Sequence, residues 1–230
     1  MKKYILFVLF VISMTGNVYA ADIENAINTA IDRYETEVNI DEVDDDELAK
    51  GLTDYFAKNA NAGLISEDLY AFDRDKNGKY DTLNINYLYT DEENKEIQAF
   101  IEKKENDILA TTKSLPNADK VKAIYKFFCS RFQYDEHLHY DIKHLYEENT
   151  GTCCSFSIAF KRMMDKCNIP CNIVVSSDGN HEWNEVFIDN EWRNIDITYG
   201  TNLYNTKFPN AEMRGYLLSD NMLKNLGYNF

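Results

Sequence analysis

The chain has 230 residues, 44% of them apolar and 13% aromatic, and a formal net charge of −15. That composition supplies a packed core and excludes an intrinsically disordered chain. The acidic excess argues against nucleic acid or an anionic membrane surface as partner, and the length suits one or two domains.

In chain order, Lys2 and Lys3 open a basic start, Tyr4 to Met14 are mostly apolar, and Val18-Tyr19-Ala20 form a small-residue cleavage site. This layout predicts a secretory signal peptide over 1–20, cut after Ala20. Its apolar stretch is too short to span a bilayer comfortably, and no later segment is apolar enough to do so. A secreted or periplasmic location is expected, with no membrane span in the mature chain. Loss of Lys2 and Lys3 would take the formal charge from −15 to −17.

Ile23, Ala26, Ile27 and Ala30 have helical spacing up to Arg33, and Tyr34, Thr36, Val38 and Ile40 alternate as a strand does. Asp41 to Glu47 contains six acids and one valine and reads as a solvated run. Asp44 to Ala60 predicts a helix with an acidic first turn and Leu48, Leu52, Tyr55 and Phe56 on one face. Glu67 to Thr90 predicts a hairpin turning at Lys76-Asn77-Gly78-Lys79 and returning through Leu83, Ile85 and Tyr87. Asp73 to Asp81 also supplies EF-hand-like oxygen ligands with Gly78 at the sixth position, but Asn84 replaces the closing glutamate and a strand follows instead of a helix. A tight turn explains the Asn-Gly pair equally well, so no metal or cofactor is assigned and calcium binding is left open.

Asp91 to Thr112 predicts a polar helix with a stripe at Ile97, Phe100, Ile101 and Ile108. Pro116-Asn117 is a break before a second helix, Ala118 to Phe132. A boundary near residue 112 separates a small N-terminal α+β subdomain, 21–112, from a domain over 113–230. His137, His139 and His144 fall in a stretch, 134–146, that reads as a solvated loop lining the cleft rather than a metal site.

Five cysteines, Cys129, Cys153, Cys154, Cys167 and Cys171, are an odd number for an exported chain and leave at least one thiol unpaired. The other four could pair in three ways or lie buried as small apolar residues. No CxxC pair points to zinc.

The chemistry concentrates after residue 150. Gly151-Thr152 turns into a helix, Cys153 to Cys167, with Phe156, Phe160, Met163 and Met164 on one face. Three strand-like runs follow: Cys171 to Ser177, His181 to Ile188 and Glu191 to Thr198. A two-residue turn at Asp189-Asn190 would set Trp183 opposite Asp196 and His181 opposite Thr198, which makes His181 and Asp196 diagonal neighbours on one face. A three-residue turn would send Asp196 to the other face. Cysteine attacks acyl carbon as thiolate, so a cysteine at a helix N-terminus beside a histidine, itself oriented by a carboxylate, is a nucleophile, base and orienting group in order.

The pattern resembles the transglutaminase-like superfamily, a branch of the papain-like cysteine-protease fold. The likeness rests on Gly151-x-Cys153 with Phe156 and Phe160, Asn168-Ile169-Pro170-Cys171, His181-x-Trp183-Asn184 and Trp192-x-x-Ile195-Asp196-x-Thr198. It implies an α+β fold, a nucleophile helix packed on an antiparallel sheet, with Cys153 as nucleophile, His181 as base and Asp196 as orienting carboxylate. Cys154 and Tyr199-Gly200 depart from the usual pattern. The resemblance further implies a secreted thiol acyl-transfer enzyme acting on amide bonds of protein or peptide, with cell-wall peptide among the candidate substrates. A cysteine peptidase or amidase is favoured, with a protein-glutamine transglutaminase or a non-catalytic surface module as alternatives.

Overall fold

The computed structural model describes residues 17–59, 70–71, 78–137, 141–204 and 210–230. Most of the expected signal peptide, and Asp73, Asp75 and Asn77 of the candidate calcium loop, lie outside the described residues. The chain forms two units, residues 1–94 and 95–230.

In the first unit, α1 (Asn17–Arg33) and α2 (Asp45–Lys58) pack with a three-stranded antiparallel sheet. The sheet has the order β1 (Glu37–Val43), β3 (Tyr80–Asn84), β2 (Tyr70–Ala71). The expected hairpin arms pair, with Tyr70 opposite Asn84 and Ala71 opposite Leu83. Ile27, Leu48, Leu52, Tyr55, Leu83 and Ile85 fill one core. The acidic run has a local structural use. Asp44 caps α2 by accepting from the Asp46 and Glu47 amides at 3.0 and 2.9 Å, and the Glu47 carboxylate in turn accepts from the Asp44 amide at 3.0 Å.

The second unit contains most of α3 (Asp91–Ala110), because the unit boundary falls in this helix's first turn rather than near residue 112. The reason lies in its inward face. Glu105 is fully buried and accepts from Arg162 Nε at 2.6 Å, and Lys166 reaches Glu102 and Glu105. A carboxylate taken out of water needs such partners, so α3 is tied to the later half of the chain.

Beyond it, α4 (Asn117–Arg131) and α6 (Cys153–Lys166) share an aromatic core in which Phe128 meets Phe132 and Phe160 edge-on, and Phe132 stacks on Phe156. Two-residue strands β4 (Gln133–Tyr134) and β5 (Thr150–Gly151) pair in parallel just before α6. The stretch read as a loop over 134–146 is helical from its ninth residue on: α5 spans Ile142–Glu148. Asp141 caps it, Ile142, Leu145 and Tyr146 bury its inner face, and Asn149 ends it in the left-handed region at φ 59°. Those signals are present in the sequence, but the helix is too short for periodicity to reveal it.

β6 (Cys171–Val175), β7 (Glu182–Ile188) and β8 (Glu191–Ile195) form the antiparallel sheet against which α6 packs. The β7–β8 turn has two residues, Asp189 and Asn190, both at positive φ (54° and 66°), as a type I′ turn requires. Its register runs from Ile188 opposite Glu191 to Asn184 opposite Ile195. The expected strand to Thr198 stops at Ile195, and α7 (Ile197–Tyr204) takes over. At Asp196 the chain leaves the sheet: its amide donates to the Gly215 carbonyl at 2.8 Å, and its carbonyl accepts from Gly200 at 3.1 Å. A 3₁₀ turn (Ala211–Gly215) and α8 (Asp220–Asn225) complete the unit.

Gly200 lets α7 approach α4. A Cβ there would meet Tyr125 Oη and come within 2.6 Å of Cys129 Sγ, both in a buried helix. Gly200→Ala is therefore expected to cost about 1–3 kcal/mol through overpacking, read as a lower urea midpoint with unchanged slope.

Candidate active site

Thr152 and Ser155 exchange side-chain and backbone hydrogen bonds at 3.4 and 3.3 Å, a capping box that starts α6 with Cys153 as its first residue. The first-turn amides of a helix have no carbonyl partner within it, and the helix dipole places positive potential there. Cys153 is half-buried at this point. Its thiol is pulled down to about 4, first by a hydrogen bond from the Cys154 thiol, against the opposing effect of burial, and further by His181 and the Glu182 backbone N–H.

His181 precedes β7 and lies between the thiol and Asp196. Its Nε2 is 2.7 Å from Asp196 Oδ2, so the ring's other nitrogen, Nδ1, is left for Cys153. Burial disfavours the imidazolium, but hydrogen bonds and charge from Asp196 and Cys153 outweigh it and raise the group to about 10. The three residues singled out by sequence thus come together in one hydrogen-bonded line. The route to Asp196 differs from the expected one, since it is the residue after β8 and not a ladder partner of Trp183.

Asp196 is fully buried and well supplied with donors. Oδ1 accepts from the Tyr199 amide at 2.8 Å, and Oδ2 accepts from both His181 and the Tyr228 hydroxyl. Burial, then the Asp196 charge, raise Tyr228, which keeps it a phenol able to donate. Trp183 stacks on His181 with ring centroids 5.9 Å apart and donates Nε1–H to Asn194 Oδ1 at 2.9 Å. Tyr228 meets both rings edge-on. The imidazole therefore has little freedom to turn away from its partners.

Two of these residues escaped the sequence reading. Tyr228 stands far along the chain from Asp196 with no spacing to connect them. Glu182, inside the His181–Asn184 motif, is a polar residue on a strand face turned to α6, which alternation alone cannot distinguish from a solvated one. Its carboxyl is raised to about 7 by burial first and then by the Cys153 charge.

The remaining thiols are held protonated. Cys154 is raised by its hydrogen bond to Cys153, then by burial and Glu182, and burial raises Cys129, Cys167 and Cys171. All five cysteines are unpaired. His137 is exposed, His144 lies on α5, and His139 falls outside the described residues. Among the described residues, no group of three or more His, Cys, Asp or Glu side chains is arranged to hold a metal ion.

The sequence over residues 102–197 matches the family model of the transglutaminase-like superfamily. That segment is similar to the family, and it contains Cys153, His181 and Asp196. No curated protein matches the sequence. Among solved structures, a TGase is 17% identical, with TM-score 0.41 over 69% of this chain and 48% of its own. A candidate cysteine protease from Cytophaga hutchinsonii is 14% identical, with TM-score 0.36 over 57% of this chain and 61% of its own. The periplasmic domain of TgpA from Pseudomonas aeruginosa, bound to ethylmercury, is 17% identical, with TM-score 0.32 over 46% and 44%. The chain thus spans about half the length of the TGase. Within residues 102–197, Cys153 is the one cysteine whose thiol is lowered.

At mildly acidic pH, iodoacetamide is expected to label Cys153 rapidly while Cys129, Cys154, Cys167 and Cys171 stay unmodified, as read by peptide mass mapping. Uniform slow labelling of all five would contradict the ionisation described here.

Proposed function

We propose that this protein is an exported cysteine peptidase or amidase that forms an acyl-enzyme on Cys153, with His181 as general base and acid and Asp196 as its orienting carboxylate. The observation that carries this reading is the hydrogen-bonded line from the Cys153 sulfur through the imidazole to the buried carboxylate. The basic and apolar N-terminal residues support export, and among the described residues no helix is long and apolar enough to cross a membrane.

The steps follow from the groups present. Thiolate and imidazolium coexist between the Cys153 value of about 4 and the His181 value of about 10, values that belong to the pair as a whole. The sulfur attacks the amide carbonyl carbon, and the carbonyl oxygen gains negative charge at the α6 N-terminus, where free amides and the dipole favour it. His181 gives its proton to the departing nitrogen, the C–N bond breaks, and a thioester remains on Cys153. Neutral His181 then takes a proton from water, which attacks the thioester and releases the acid and the thiolate. Water is favoured over an amine as acceptor because water is always available to the thioester.

Peptide-library profiling that scores hydrolysis and amine incorporation together tests the acceptor. Cys153→Ala is expected to abolish turnover with the fold retained, whereas Cys154→Ala keeps most of it. Asp196→Asn, which deprives the imidazole of its charged partner, is expected to lower kcat by roughly 10²–10⁴-fold. Full activity in Cys153→Ala would remove this residue from the mechanism, and incorporation exceeding hydrolysis would make the protein a transamidase.

A further inference from the structure

Glu182 is outside the Cys153–His181–Asp196 line, yet its carboxyl is packed behind the proposed nucleophile. It stands on the face of β7 turned to α6, and Asn184 on the same face donates to the Ser157 carbonyl at 3.0 Å. Ser157 Oγ is 2.9 Å from Glu182 Oε2 and 3.0 Å from the Cys154 carbonyl oxygen. The Cys154 thiol reaches both the Glu182 carboxyl and the Cys153 sulfur.

Counting protons shows a shortage. Ser157 offers one hydroxyl proton and Cys154 one thiol proton. Facing them are the Cys153 thiolate, the Glu182 carboxyl and the Cys154 carbonyl. Ser157 donates to the Glu182 carboxyl, so the single Cys154 S–H is contested by the thiolate and the carboxylate, and a proton on Glu182 leaves it to the thiolate. The surroundings favour that state. Cys153 and Cys154 face the carboxyl from α6, His181 faces it from the start of its own strand with Asp196 beyond the imidazole, and Tyr134 of β4 faces the two thiols. Burial and the Cys153 charge raise the carboxyl; Ser157, Cys154 and His181 lower it, and it settles at about 7.

We propose that Glu182 is a positioning and charge-selecting residue for acyl transfer, an acid whose ionisation draws the Cys154 S–H away from the Cys153 sulfur and adds a negative charge beside it. As the acid, it leaves the cleft open to anionic substrate groups next to the scissile carbonyl. As the carboxylate, with its proton released to solvent, it repels them and leaves the sulfur with one donor fewer. This rests on the reading of Cys153 as the nucleophile.

The full-length protein is alkylated at Cys153 with neutral iodoacetamide and with anionic iodoacetate across the neutral pH range, and both rates are followed by mass spectrometry. The iodoacetate-to-iodoacetamide rate ratio is expected to fall about fivefold as pH rises through the Glu182 transition, the effect of one added charge at close range. Glu182→Gln is expected to hold the ratio flat. Ser157→Ala removes a hydrogen bond that favours the carboxylate and is expected to move the midpoint to higher pH, which decides the matter if Glu182→Gln does not fold. A flat ratio in the unsubstituted protein, an undiminished fall in Glu182→Gln or an unmoved midpoint in Ser157→Ala overturns the proposal. Absence of fast Cys153 labelling at every pH overturns the nucleophile reading and this proposal with it.

Discussion

The hydrogen bond between His181 and Asp196 is the constraint around which the second unit is organised. An ionised carboxylate enclosed by protein costs several kcal/mol unless donors replace its water. Asp196 receives them from three directions: the imidazole, the Tyr199 amide at the start of α7, and the Tyr228 hydroxyl from the C-terminal segment. Its backbone is held as firmly, through Gly215 on one side and Gly200 on the other. The end of β8, the start of α7 and the last residues of the chain therefore share one polar centre. The same arrangement holds the imidazole in the orientation that leaves Nδ1 free for a thiol.

The thiol side is built differently. Here the stabilised species is an anion at the edge of the core, and the donors are the Cys154 thiol, His181 and the Glu182 amide, with the α6 dipole behind them. Each of these groups comes from an element fixed for another reason: the capping box of α6, the β7 ladder and the aromatic core beneath Phe156. Rigid supports of this kind keep reacting groups in place without reorganisation during the reaction, which is the main way a protein stabilises developing charge.

Charge is distributed unevenly over these two tasks. The first unit carries the acidic run, where Asp44 and Glu47 close a helix N-terminus, Asp45 accepts from the Tyr80 hydroxyl at 2.9 Å, and Glu42 and Asp46 are exposed. The second unit encloses Glu105 and Asp196, and the two are satisfied by different means. Glu105 meets the guanidinium of Arg162 across two packed helices and holds α3 in place. Asp196 meets neutral donors and one titratable ring, so its negative charge is left to act on the imidazole.

Much of this was legible in the sequence. Apolar periodicity gives the helices carrying Leu48, Val121 and Phe156, the Asp189-Asn190 pair gives the β7–β8 register, and the spacing of Cys153, His181 and Asp196 gives the residues that meet. Only the tertiary structure decided that β8 ends at Ile195, that α5 is a helix, and that Glu105, Glu182 and Tyr228 turn inward. The physical reason is common to these cases. Periodicity and turn chemistry are local and are written in neighbouring residues, whereas the burial of a polar group depends on partners brought in from distant parts of the chain, and no local pattern records them.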